Sequence, residues 1–204
     1  DWIVITDADG TYPSGRIAEL LDLRREADMV VGARVSAGAR IPVVRRPAKW
    51  VLRRLAEFLA FTDIPDLNSG FRVIRRAAIE RFAAVLPDGF SFTTTITLAM
   101  LSSGFRVTYF PIDYRYRVGS SKIRPIADTA AFLALIVRTS LYFNPLRVFL
   151  PVALGFIAAS ALVAVLTWAF TDRLMDVTTV LLFVTGIQLL GLGLLADLVN
   201  RKTS

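Results

Sequence analysis

Trp2-Ile3-Val4-Ile5-Thr6 runs directly into Asp7-Ala8-Asp9-Gly10. A short apolar run rich in β-branched residues that stops at an acidic, glycine-bearing turn predicts a buried β-strand opening into a loop at its carboxyl end. A buried strand needs neighbours. With only Asp1 ahead of it, this one implies a chain that starts inside a domain whose first half is absent. Downstream, Ser14 is placed to cap a helix over 15–26, in which Ile17, Leu20, Leu21 and Leu23 form an apolar face beside the charged Arg24 and Arg25. Met29 to Gly32 reads as the next strand. The order strand, loop, helix, strand predicts an α/β layer architecture with a parallel sheet.

Further along, Pro47 opens an amphipathic helix to about Phe61, with Val51, Leu52, Leu55, Phe58 and Leu59 on one side and Lys49, Arg53 and Arg54 on another. Helices are expected near 75–84 and 92–102, and Arg106 to Tyr114 alternates like a strand. Residues 124–143 form an amphipathic segment, suited to the membrane interface, that Asn144-Pro145 breaks. Internal repeats and low-complexity linkers are absent.

The last third has a different character. Hydrophobic residues make up 54% of the 204, above the roughly 45 to 50% of an ordinary soluble domain. The excess is concentrated between Arg147 and Asp172, where 24 residues carry no charge, and between Asp176 and Asp197, where 20 carry none. About 20 helical residues cross a bilayer core about 30 Å thick, so 148–171 and 177–196 are each long enough to span. Neither shows the polar face of a surface helix. Residues 172–176 leave room only for a tight return, which makes the pair an antiparallel hairpin with both flanks on one side. Arg138, Arg147, Arg201 and Lys202 lie on those flanks, while the turn holds one Arg against two Asp; the positive-inside rule therefore puts residues 1–147 and the C-terminal tail in the cytoplasm. Gly186, Gly191 and Gly193 would allow close helix approach within the hairpin or between subunits of a homo-oligomer.

The net charge is +7, and Arg40, Arg45, Arg46, Lys49, Arg53 and Arg54 fall within fifteen positions. Next to a bilayer such a cluster meets anionic headgroups and lipid phosphates first. Nucleic acid is disfavoured as a partner, because the basic residues flank bilayer-facing segments instead of a recognition helix. Cysteine and histidine are both absent, which excludes disulfides and thiolate zinc and removes the commonest general base. Any metal must be held by oxygen.

Three stretches carry chemistry. Asp7 and Asp9 sit at the carboxyl end of a strand, where ligands bind in open α/β sheets, and two such carboxylates can share a hard divalent cation; the plainer reading is a capped turn. Asp66-Leu67-Asn68-Ser69-Gly70-Phe71-Arg72 is polar and glycine-bearing, and by itself reads equally as an ordinary loop with an N-cap. In Tyr114-Arg115-Tyr116-Arg117-Val118-Gly119-Ser120-Ser121-Lys122, Arg117 and Lys122 flank small residues whose amides could approach a phosphate, or form a basic juxtamembrane turn.

Taken together with the hairpin, these stretches resemble the polyisoprenyl-phosphate glycosyltransferases of glycosyltransferase family 2. The resemblance covers the whole chain and rests on Asp7-Ala8-Asp9 with Tyr12-Pro13, on Val31-Gly32-Ala33-Arg34, on Asp66 to Arg72, on Gly119-Ser120-Ser121-Lys122 and on the two spans. It implies a Rossmann-like GT-A domain, incomplete at its N-terminus, over 1–121, then a juxtamembrane segment over 122–147. A hairpin over 148–198 and a tail over 199–204 follow. The implied activity is inverting transfer of a sugar from a UDP- or GDP-linked donor to a polyisoprenyl phosphate at the cytoplasmic face, in a bacterial inner membrane. By the same resemblance Asp7 and Asp9 bind Mg²⁺ or Mn²⁺, and Asp7, Asp9 and Asp66 meet the donor. Arg34, Arg54, Arg117, Ser120, Ser121 and Lys122 hold the lipid phosphate. Asp9, Asp66 and Arg117 are the implied catalytic residues. The missing first strands would hold the nucleotide base, so residues 1–204 alone are expected to show little transfer.

Two departures from the family pattern stand out. Thr11 replaces a frequent Gln, and Thr93, Thr94 and Thr95 occupy positions where relatives commonly have an acid or amide. These departures leave room for a catalytically silent membrane scaffold of the same fold. A processive polysaccharide synthase is the other alternative, disfavoured by the absence of a Gln-x-x-Arg-Trp sequence and by only two spans.

Overall fold

The computed structural model describes residues 1–35, 46–87, 91–113, 125–171 and 176–203. The chain divides into two compact units, Asp1–Thr139 and Ser140–Ser204.

The first unit is built on a four-stranded sheet of β1 (Trp2–Ile5), β2 (Met29–Ala33), β3 (Arg72–Arg75) and β4 (Val107–Pro111) in the order β1-β3-β2-β4. The sheet is mixed, which corrects the parallel expectation. β2 and β4 are parallel, but β3 runs antiparallel to both β1 and β2. The physical cause is the route between β2 and β3. Helix α2 (Arg46–Ala60) and the loop after it return the chain to the edge where β2 ended, so β3 starts there and runs the other way. Ile5 and Val31 both lie opposite Arg72, and Ala33 lies opposite Pro111. The carboxyl ends of β1, β2 and β4 therefore share one sheet edge with the amino end of β3.

β3 falls on residues expected to be loop followed by helix. Val73 and Ile74 are fully buried in the middle of the sheet, and α3 (Arg76–Phe82) begins only after them. β1 is less buried than expected: Ile3 and Val4 are about two-fifths exposed, and among the described residues the strand pairs only with β3. Ser14 does not cap a helix. It opens a 3₁₀ turn, Ser14–Arg16, whose preceding residue is Pro13, and α1 (Ile17–Asp22) follows. The core packs β2, buried along its whole length, against Leu20, Phe71, Val73, Tyr12 and Ile112. Helix α4 (Phe92–Ser102) is buried continuously from Thr94 to Met100, and Thr95 and Thr97 donate their hydroxyls to the carbonyls of Ser91 and Thr93, one turn back.

The chain enters the second unit through the end of α5 (Pro125–Phe143), and Asn144 separates that helix from α6 (Pro145–Thr171), with Pro145 in the first helical position where its missing N–H costs nothing. α6 and α7 (Val177–Thr203) have 27 residues each, about 40 Å of helix, enough to cross a bilayer core with some tilt. Their large apolar side chains point outward: Leu162, Val165, Trp168, Phe170, Leu181, Leu194 and Leu195 are all more than half exposed. In water that surface would be costly, and in lipid it is the expected arrangement.

Small residues set the packing between α6 and α7. A Cβ on Gly186 would lie 2.6 Å from Ile157 Cγ1 and 3.0 Å from the Ala153 carbonyl, and one on Gly193 would lie 2.6 Å from Phe149 Cβ. Gly191 meets nothing within 4 Å. Two of the three glycines thus serve approach within the hairpin, and Ser160 adds a hydroxyl donated to the Thr179 carbonyl at 2.8 Å. Gly186→Leu should therefore destabilise the hairpin by about 1–3 kcal/mol through overpacking. Gly191→Leu should be close to neutral. Thermal melting of the two variants in one detergent checks the contrast.

Candidate functional site

The site is assembled on the shared sheet edge from three loops. The first leaves β1. Asp9 is fixed by the residue two positions on: Thr11 donates both its backbone N–H, at 3.2 Å, and its hydroxyl, at 2.6 Å, to Asp9 Oδ1. Gly10 makes this turn possible with φ at +72°, a region L side chains rarely enter. Asp7 is seated differently. Its carboxylate lies against the Cα of Gly70, so close that a Cβ there would fall 2.7 Å from Oδ1 and 2.8 Å from Oδ2. The glycine of the second motif thus gives the first acid its place.

Tyr12 ties the two loops together. Its hydroxyl accepts the Gly70 N–H at 2.9 Å, and its ring stacks on Phe71 with centroids 5.8 Å apart. Burial pushes the Tyr12 phenol above its ordinary pKa against the nearby Arg34 charge, so it stays neutral at physiological pH. Tyr12→Phe leaves the buried Gly70 N–H without its acceptor and should cost about 1–3 kcal/mol of stability. A thermal melt of that variant beside the parent protein measures the loss.

The second loop, before β3, holds Asp66. This acid is buried, and Arg34, at the end of β2, grips it with two parallel bonds: Nε to Oδ2 at 2.6 Å and Nη2 to Oδ1 at 2.8 Å. The Arg34 and Asn68 backbone N–H groups also donate to it. The fork geometry is the strongest form an arginine–carboxylate contact takes. Ser69 donates its hydroxyl to the Gly32 carbonyl, which pins the loop to β2, and Thr94 donates to Asn68 Oδ1 at 2.5 Å. Of the three threonines that stand where an acid or amide is expected, Thr94 thus helps hold this loop in position.

Beneath the loop lies Arg72, wholly buried. Its Nε donates to the Ser69 carbonyl at 2.9 Å and its Nη2 donates to the same oxygen, while Nη1 reaches the Thr93 carbonyl at 3.1 Å and the Thr97 hydroxyl at 3.0 Å. Burial pulls its pKa down to about 10, still well above neutrality, so the buried guanidinium is charged.

On α2, Arg53 lines a groove with Leu52, Ile64, Pro65, Asp66, Leu67, Asn68, Phe132 and Ile136. Arg54 instead points outward, its guanidinium 5.9 Å from the Trp50 ring and 3.5 Å from Glu57. Glu57 is buried; that burial raises its pKa, but the Arg53 hydrogen bond, the Ile64 N–H and the charges of Arg53 and Arg54 together hold it below the ordinary range.

Asp7, Asp9, Arg34 and Asp66 therefore stand on one sheet edge, and β4 delivers the chain at Asp113 to that same edge just ahead of the third motif. Arg117, Ser120, Ser121 and Lys122 lie outside the described residues. Sequence reasoning missed Tyr12 as the bridge, Gly70 as the seat for Asp7 and Arg72 as the support. An arginine within a strand's apolar run, Arg72-Val73-Ile74, was the available signal for the last. Asp7 and Asp9 fit a hard dication. Two carboxylate side chains without nitrogen or sulfur donors match the Mg²⁺ habit of taking one or two protein acids and filling its remaining positions with water and substrate phosphate.

Residues 144–201 match the family model described as the GtrB C-terminal hairpin. Over 141 residues the chain is 34% identical to the dolichyl-phosphate hexose transferase of Haloferax volcanii, covering 68% of this chain and 61% of that protein. It is 30% identical over 134 residues to the polyprenol monophosphomannose synthase of Mycolicibacterium smegmatis, covering 59% of this chain and 48% of the relative. The undecaprenyl-phosphate mannosyltransferase of Micrococcus luteus is 26% identical over 129 residues, covering 60% and 53%. The chain is similar to polyprenyl-phosphate glycosyltransferases. It combines a GT-A-type α/β domain with a C-terminal helical hairpin and is a membrane protein. The chain spans about half to three-fifths of the length of these relatives, at 61%, 48% and 53%.

Proposed function

We propose that this protein transfers a sugar from a nucleotide-sugar donor, UDP- or GDP-linked, to a polyisoprenyl phosphate at the cytoplasmic face of the membrane, with inversion. The observation that carries this reading is the meeting, on one sheet edge, of a two-acid loop and an arginine–carboxylate pair in a chain that also carries a bilayer hairpin. The names of the relatives support its coarser part, transfer of a sugar to a polyprenyl phosphate. A phosphate oxygen of the lipid attacks the anomeric carbon; the bond from that carbon to the donor diphosphate breaks, and its electron pair leaves with the nucleoside diphosphate. A phosphate is anionic at neutral pH, so it needs positioning more than deprotonation, which suits a chain without histidine.

Asp7 and Asp9 would hold Mg²⁺ or Mn²⁺, which when bound neutralises charge on the departing diphosphate. Asp66 orients Arg34 toward the acceptor phosphate through their paired bonds, and Asp66 itself borders the donor. Arg54, Arg117, Ser120, Ser121 and Lys122 complete the phosphate-binding set, and Arg53 joins it as a lining residue of the groove beside Asp66. The cytoplasmic placement rests on the basic flanks of the hairpin.

The test is a donor screen. The complete membrane-embedded protein is incubated with polyprenyl phosphate, Mg²⁺ or Mn²⁺ and radiolabelled nucleotide sugars in turn. Label moving into the lipid extract with one donor is the expected result. A full panel of UDP- and GDP-sugars that leaves the lipid fraction unlabelled contradicts the proposal.

A further inference from the structure

Helix α2 has one acid beside four basic residues, Arg46, Lys49, Arg53 and Arg54, and that acid, Glu57, is turned inward. Ala56, Leu59 and Ala60 are buried around it. A carboxylate in such a place is costly unless bonds and opposite charges replace its lost water. An apolar side chain of similar size would fill the space without that cost. The helix gains little in return, because an arginine four residues ahead of a glutamate is the weaker order for such a pair. What the buried charge does is visible in its partners. Oε1 accepts Arg53 Nε at 2.7 Å and the Ile64 N–H at 3.2 Å, so one oxygen ties α2 to the loop that carries Asp66. Oε2 is closed off from solvent, has no hydrogen-bond partner among the described residues, and lies 3.5 Å from Arg54 Nη1. The consequence falls on Arg53. Glu57 holds it by Nε, and its two terminal nitrogens make no hydrogen bond among the described residues. Its side chain is half exposed and lines the groove with Asp66 and Asn68, whereas Arg54 is turned to Trp50.

We propose that Glu57 is a positioning residue for the acceptor: it fixes Arg53 by Nε and leaves Nη1 and Nη2 to meet the oxygens of the polyisoprenyl phosphate beside the Arg34–Asp66 pair. This rests on the reading of the groove as the acceptor-phosphate site. A free arginine side chain samples many rotamers, and holding one of them before the ligand arrives reduces the entropy lost on binding. The bond to Ile64 supplies the second constraint. Ile64 is two residues from Asp66, so the oxygen that orients Arg53 also fixes the spacing between α2 and the acid that orients Arg34. Two arginines on different elements, each held by its own buried carboxylate, thus form one preorganised seat for a dianionic phosphate.

The experiment compares two lipids. Native mass spectrometry of the complete protein in a neutral detergent measures the affinity for undecaprenyl phosphate and for undecaprenol, which has the same tail and no phosphate. The parent protein should prefer the phosphate. In Glu57→Gln, which keeps an oxygen for the Ile64 N–H but loses the charge, that preference should fall about tenfold, and in Arg53→Gln by about the same factor. The double variant should lose no more than either single one, to within about twofold, because both substitutions remove one interaction. Arg53→Lys, at a half-exposed position, makes the same test without touching the buried acid: it keeps the charge but not the fork, and the preference should fall about fivefold. Losses that multiply in the double variant overturn the proposal, since Glu57 would then act independently of Arg53. So does a Glu57→Gln protein that weakens both lipids equally, as a merely structural acid would, or an Arg53→Lys protein that binds like the parent. A parent that takes both lipids alike removes the acceptor-site reading, and this inference with it. A parent that discriminates while the variants do too removes only the role of Glu57. No nucleotide sugar is used, so the outcome is separate from that of the donor screen.

Discussion

Asp9→Asn in the full-length protein should abolish most sugar transfer, by about 10²–10³-fold in turnover, the scale seen when one preorganised charge-stabilising group is removed. The substitution is chosen for what it keeps. Asparagine retains a side-chain oxygen that still accepts the Thr11 N–H and hydroxyl, at 3.2 and 2.6 Å in the parent, so the loop keeps its shape. Only the negative charge is lost, and with it the ability to share a dication with Asp7. The measurement has two arms: label transferred to lipid, which should collapse, and thermal stability, which should stay within about 0.5 kcal/mol, as for a substitution that opens no cavity and orphans no buried group. Retained transfer would remove Asp9 from the chemistry. A protein whose cellular role survives the loss of charge would be a scaffold of this fold and not an enzyme.

Arg72→Met should produce the largest loss of stability, about 3–5 kcal/mol, because it withdraws a buried cation from a network that cannot be resolvated. Methionine fills much of the volume, which keeps the cavity contribution small and isolates the polar one. Left behind are the Ser69 and Thr93 carbonyls and the Thr97 hydroxyl, each now short of a donor. Arg72→Lys should rescue little, since a single ammonium cannot reproduce a planar fork that serves a loop and a helix at once. The Ser69 carbonyl is one residue from Gly70, and Gly70 seats the Asp7 carboxylate. Transfer should therefore fall together with stability, in contrast to Asp9→Asn, where only transfer falls. A melting temperature within a degree of the parent protein would show that the network carries no weight.

Much of the architecture can be read locally. The two uncharged stretches of 24 and 20 residues announced α6 and α7, because a helix long enough to span and lacking a polar face has few other destinations. Asn144-Pro145 marked the break between α5 and α6, and the apolar runs at Trp2–Ile5 and Met29–Ala33 were visible as strands. β3 was not. Its four residues, Arg72–Arg75, begin and end with arginine, and the pattern that marks a half-buried strand fails when a charged side chain is buried by a network formed from distant residues. Without β3 the sheet looked parallel, since strand direction is set by where the intervening helix and loop leave the chain.

The sequence by itself determined the chemistry available: oxygen ligands only, two acids after a strand, arginines for anions, and a hairpin of bilayer length. These depend on residue type and spacing over a few positions. Only the tertiary structure decided which of those residues meet. Arg34 grips Asp66 across 32 positions, Tyr12 reaches Gly70 across 58, and Asp7 rests on that same glycine. Such contacts arise from strand order and register, which are fixed by the packing of the whole core and leave no local trace in any one segment.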